Sequence, residues 1–129
     1  MRKISFVFSL FALVVFSFGA AFAGIEHVDA DTDFVSKVIN SKGVVLVDFW
    51  APWCGPCQRQ GEILEALSIK EPSLRIVKVN VDNAEGSSRL YRIESIPTLI
   101  IFKDGKQVDR WSGVRSAEAI MEKVNRYSK

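Results

Sequence analysis

Both cysteines of the 129-residue chain fall in one short stretch, Trp50-Ala51-Pro52-Trp53-Cys54-Gly55-Pro56-Cys57. It follows a strand-like apolar run, Val44 to Phe49, and precedes a helical pattern in which Ile63, Leu64 and Leu67 share a face. A Cys-x-x-Cys pair where a buried strand turns into a helix is, physically, a redox site. Cys54 falls at the helix N-terminus, where unpaired backbone N–H groups and the helix dipole favour a thiolate. Cys57 lies about one turn further on, near enough to close a disulfide with it. Two other readings are weaker. A structural bridge closing so short a loop would constrain the unfolded chain little. Zinc needs four ligands, or three and a water, and the only further soft candidate is His27, far upstream on a predicted strand.

The elements that must position this pair read as follows. Ile25 to Val28 is a short edge strand, and the polar cluster Asp29 to Asp33 can cap a helix running through Phe34, Val35, Val38 and Ile39. Val44 to Trp50 is too continuously apolar for a half-exposed strand and is expected to be central and parallel. The helix after the cysteines runs to about Lys70, where Glu71-Pro72-Ser73 breaks it. Leu74 to Val81 is a β-branched strand, Asp82 to Gly86 a loop, and Ser87 to Tyr91 a short helix. Thr98 to Phe102 and Gln107 to Ser112 form a hairpin about Lys103-Asp104-Gly105-Lys106, and Ser116 caps a last amphipathic helix. The order β-α-β-α-β-α-β-β-α predicts an α/β fold: a mixed sheet, parallel units first and an antiparallel hairpin last, with helices on both faces.

Asp48 stands out within Val-Leu-Val-Asp-Phe-Trp, six positions before Cys54. A carboxylate there is costly to bury unless it is partnered or protonated. The plain alternative is a side chain turned to solvent at a strand end.

Trp53-Cys54-Gly55-Pro56-Cys57 resembles the active site of the thioredoxin family. The flanks agree: Val47-Asp48-Phe49-Trp50-Ala51 before it, Lys78, and the distant Ile96-Pro97-Thr98. The resemblance spans roughly Ile25 to Tyr127 and implies a thioredoxin fold for 24–129. It implies that Cys54 is the nucleophile and Cys57 the resolving thiol of a redox disulfide, with Gly55 and Pro56 shaping the turn. It places Asp48 under Cys57 as a general base, with Lys78 approaching it. It implies a cis Ile96–Pro97 bond opposite the cysteines, exposing main-chain groups to an extended substrate. Trp53 and Gly113 would border that substrate, Trp53 exposed and Trp50 packed. A pKa of ~7 for Cys54 would raise its thiolate fraction at pH 7 about 16-fold but cut its nucleophilicity about 5-fold, so geometry and docking must supply most of the rate. The chain departs from the family at Gln58 and Glu62, where lysine and proline are common, and at Gln60, where an apolar residue is usual.

Residues 1–23 have the make-up of a signal peptide: Arg2 and Lys3, an uncharged, mostly apolar run from Ile4 to Phe18, and Ala21-Phe22-Ala23 as a cleavage site. An uncleaved anchor is the alternative, since Ile4 to Ala23 approaches the roughly 20 residues that span a bilayer. Either way the domain is expected outside the cytoplasm, in the periplasm or on the outer face of the membrane. Without Arg2 and Lys3 the formal charge of +2 falls to zero, which argues against a nucleic-acid partner. The expected function is reduction of disulfides in exported proteins, with a membrane electron donor, no cofactor and no metal, as a monomer on family precedent. A disulfide oxidant or isomerase is the first alternative, and a non-catalytic peptide-binding module the second.

Overall fold

A computed structural model describes residues 24–129, so the expected signal peptide and its expected Ala21-Phe22-Ala23 cleavage site lie outside the described residues. Strands β1 (Ile25–Val28), β2 (Val44–Trp50), β3 (Arg75–Asn80), β4 (Thr98–Lys103) and β5 (Lys106–Ser112) form one sheet in the order β1-β3-β2-β4-β5. The helices are α1 (Asp31–Phe34), continued by a π-helical turn over Val35–Ile39, then α2 (Gly55–Lys70), α3 (Glu85–Leu90) and α4 (Ala117–Tyr127). This is the expected mixed α/β architecture.

β2 is central, but only half of the expected parallel pairing is present. It runs parallel to β3 and antiparallel to β4. Its unbroken apolar run reflects burial on both faces and not the direction of its neighbours. Alternation along the strands divides two cores. Val45, Val47 and Phe49 join Val77, Val79, Ile100 and Phe102 against Phe34 and Val38. Leu46, Ile76, Leu99 and Ile101 face Leu64 and Leu67 of α2 and Ile120 and Val124 of α4. By the same alternation Asp48 and Lys78, which are register partners, fall on the α2 side of the sheet.

The acidic cluster before α1 acts differently from its expected role. The N-cap of α1 is Ala30, without a side-chain cap. The Asp31 carboxylate instead accepts from Gly86 N at 3.1 Å, Ser87 N at 2.7 Å and Ser87 Oγ at 2.6 Å. It thereby serves the start of α3, which begins at Glu85, two residues earlier than expected. These bonds, that from the Ser87 hydroxyl foremost, hold the Asp31 pKa below the ordinary aspartate value. α4 is capped as expected: Ser116 Oγ accepts from Ala119 N at 3.2 Å.

The β4–β5 turn is tied to the body of the protein. Asp104 (φ +52) and Gly105 (φ +78) are both left-handed, as a two-residue hairpin turn of this kind requires. Gly43 N donates to Asp104 Oδ1 at 2.8 Å, and Asp104 N donates to Gly43 O at 3.0 Å. A Cβ on Gly105 would lie 2.1 Å from the carbonyl oxygen of Ile39. Gly105→Ala therefore meets backbone on one side and an unfavourable φ on the other. It is expected to lower stability by about 3 kcal/mol, as a fall in the urea midpoint without a change in slope.

Candidate active site

β2 delivers the chain to the cysteines through a tight turn in which Cys54 N donates to Ala51 O at 3.2 Å. Cys54 is the N-cap of α2, in an extended conformation. Its Sγ accepts from Cys57 N at 3.2 Å, so a free backbone donor of the helix start points at that sulfur. Pro56, in the first helical turn, gives up no helical hydrogen bond there. Cys54 and Cys57 are joined as a disulfide. Cys54 keeps 6% of its surface exposed against 1% for Cys57, which is the order expected of attacking and resolving sulfurs.

A second loop faces the pair. The Ile96–Pro97 bond is cis, and the Ile96 carbonyl oxygen lies 3.8 Å from Cys54 Sγ. Pro97 O accepts from Gly113 N at 2.9 Å, which joins this loop to the end of β5. Gly113 has φ +88, and nothing lies within 4 Å of the place a Cβ would take. Trp53 is 71% exposed, and its indole N–H donates to the Asp82 carboxylate at 3.1 and 3.3 Å. Trp53 and Ile96, with Val81, Ile93, Glu94 and Ser95, line a shallow cavity of about 170 Å³. Trp53, Gly55, Pro56, Ile96, Pro97 and Gly113 thus belong to three segments that are brought together beside the disulfide.

Asp48 is fully buried, so the solvent-facing alternative does not hold. Both carboxylate oxygens lack a hydrogen-bond partner among the described residues. Desolvation raises its pKa to about 7, and the positive charge of Lys78 offsets only part of that rise. The Lys78 ammonium sits 4.2 Å above the centre of the Trp50 ring, a cation–π contact. It also lies 3.2 Å from where a Cβ on Gly61 would be, so the bare glycine in α2 leaves it room. Trp50 is half-buried, while Trp53 lies open, as expected.

Two of the three departures in α2 have defined partners. Gln58 Nε2 donates to Pro52 O at 3.2 Å on the surface. Gln60 is fully buried and exchanges two hydrogen bonds with the backbone of Arg115. In the sequence Asp82 is only the first residue of a loop, since nothing local connects it to an indole 29 residues earlier. The signal for Gln60 was present: it shares a helical face with Leu64 and Leu67. His27 is exposed, and among the described residues no group of three or more His, Cys, Asp or Glu side chains is placed to hold a metal.

Comparison with known proteins agrees with this geometry. The family model described as Thioredoxin matches residues 25–126. A thioredoxin of Chlamydia caviae is 44% identical over 86 residues, covering 67% of this chain and 84% of its own. A thioredoxin of Bacillus subtilis is 43% identical over 97 residues, covering 74% and 93%. Among solved structures, a mutant thioredoxin from Halobacterium salinarum superposes with a TM-score of 0.77 at 30% identity, covering 85% of this chain and 96% of that one.

The raised pKa of Asp48 has a signed consequence for stability. Between about pH 4 and pH 7 the folded state holds a proton on Asp48 that the unfolded state releases, so stability falls as pH rises through this window. The full loss, from below the unfolded pKa to above the folded one, is roughly 4 kcal/mol. Asp48→Asn removes the titration. Urea unfolding at pH 5 and pH 8.5 is expected to show the variant nearly level, and more stable than the parent at pH 8.5.

Proposed function

The chain belongs to the thioredoxin family, and we propose that it is an extracytoplasmic member that reduces disulfides in exported proteins. The observation that carries this reading is the Cys54–Cys57 disulfide at the start of α2, with Cys57 N donating to Cys54 Sγ. A backbone donor fixed on that sulfur stabilises a thiolate after reduction.

In the reduced protein the Cys54 thiolate attacks one sulfur of a substrate disulfide and displaces the other as a thiolate, which takes a proton. Cys57 then gives its proton to Asp48, and its thiolate attacks Cys54 Sγ. The second substrate sulfur leaves, and two electrons have passed from the cysteine pair to the substrate. A carboxyl with a pKa of about 7 is suited to that proton transfer near neutrality, and the Lys78 charge tempers it. Substrate lies in an extended form between Trp53 and Gly113. It pairs with the main chain at Ile96 and Pro97, and Gly55 and Pro56 keep the approach to Cys54 open.

The compartment rests on Arg2, Lys3, the apolar run and Ala21-Phe22-Ala23. A reductant working outside the cytoplasm needs a dithiol donor that carries electrons across the membrane, and such a donor is the second partner we propose. The protein works as a monomer.

Three measurements test these statements. Cys57→Ser is expected to accumulate a mixed disulfide through Cys54, visible as a mass adduct, whereas Cys54→Ser abolishes turnover. Equilibration with dithiothreitol or glutathione should give a potential near about −270 mV; a value of about −180 to −120 mV overturns the reducing direction and makes the protein a disulfide donor or isomerase. In cells expressing the full chain, a mature N-terminus at Gly24 supports export with cleavage and a membrane-bound intact chain supports the anchor. An intact chain in the cytoplasm overturns both.

A further inference from the structure

We propose that Gln60 is a positioning residue for substrate: its buried amide fixes the backbone of residues 113–115 against the cysteine-bearing helix. The inference rests on the reading above that Gly113 borders the substrate groove. Gln60 stands three residues after Cys57 on α2, about 4.5 Å further along the helix axis. Its side chain is fully enclosed. The amide donates from Nε2 to Arg115 O at 3.2 Å and accepts from Arg115 N at Oε1 at 2.8 Å. Both polar ends are thus used, on one backbone unit, much as a strand would pair with it.

Burying an amide costs free energy unless its hydrogen bonds are replaced, and a purely apolar side chain would fill the same space without that cost. What the amide adds is direction. The connection from β5 to α4 is held at Gly113, whose N–H donates to Pro97 O, and again at Arg115 by Gln60. Ser116, the next residue, caps α4. The segment is therefore tied both to the loop facing Cys54 and to the helix carrying Cys57. With Gln60 in place, the space between Gly113 and the disulfide is set before substrate arrives, and pre-organisation of this kind appears in affinity. A small disulfide that touches only the sulfurs makes no use of it.

The test compares reduction of insulin, as a protein disulfide, with that of 5,5′-dithiobis(2-nitrobenzoate), as a small one, using the full chain. Gln60→Met is expected to raise KM for insulin about tenfold while kcat stays within about twofold, since the lost contacts serve binding and not bond exchange. The rate with the small disulfide stays level. Gln60→Glu adds a signature that packing alone does not give. Its neutral carboxyl both donates and accepts, whereas the carboxylate can only accept and loses the bond to Arg115 O. Its KM for insulin should match the parent at low pH and climb above it as the carboxyl ionises. An unchanged insulin KM in Gln60→Met, or a Gln60→Glu profile parallel to that of the parent, overturns the inference and leaves Gln60 a packing residue. Failure of the parent protein to reduce insulin removes the reading of function and this inference with it.

Discussion

A free N–H at a helix start, aimed at a sulfur, is the interaction on which the rest of this molecule depends. It requires that a chain leave the sheet, turn within a few residues and begin a helix without a side-chain oxygen occupying the cap. Cys54 is that cap. The turn is made possible by β2 ending at Trp50, and β2 can act as a fixed support because helices close over both of its faces. The apolar run from Val44 therefore does more than stabilise the protein. It sets where the first sulfur emerges and which way α2 points.

The same double burial creates the electrostatic problem at Asp48. A carboxyl on the α2 side of the sheet, paired across the strands with Leu99, is shut off from bulk solvent, and Lys78 is its register partner across β2 and β3. A direct ion pair would hold Asp48 ionised. Instead the ammonium lies over the Trp50 ring and in the space left by Gly61, and desolvation outweighs its attraction. The aromatic face and the absent side chain thus determine how much of the lysine's charge reaches the carboxyl. Gly61, adjoining the missing proline at Glu62, is in this respect an electrostatic residue without an atom of its own in the site.

Much of this was legible from residue types. The cysteine spacing, the apolar run and the polar breaks at Glu71-Pro72-Ser73 and Asp104-Gly105 specify the element order, because each reports a local rule of burial or backbone geometry. Asp48 was conspicuous because charge in an apolar run breaks such a rule. What escaped notice depends on partners distant in the chain. The antiparallel side of β2 leaves no mark on its own composition, since a strand buried on both faces looks alike whatever its neighbour's direction. Asp31 reads as a cap for its own helix, and only the fold brings α3 to it. Asp82 reads as a loop acid, and only the fold sets Trp53 beside it.

Gln60 shows why a departure from a family pattern needs its partner before it can be interpreted. As a residue type it reads as a defect in an apolar face. With Arg115 opposite, it becomes a polar joint between the cysteine helix and the connection from β5 to α4. The distinction has energetic content. Lowering the pKa of a thiol from ~8.5 to ~7 gains only about threefold in attack at neutral pH, because the more abundant thiolate is also the weaker nucleophile. The remainder of the rate must come from holding a substrate sulfur in line with Cys54 Sγ. The cysteine turn sets that line, while a groove whose walls are tied to one another and to the cysteine helix holds the substrate in place beforehand, a contribution that appears in affinity and so in kcat/KM.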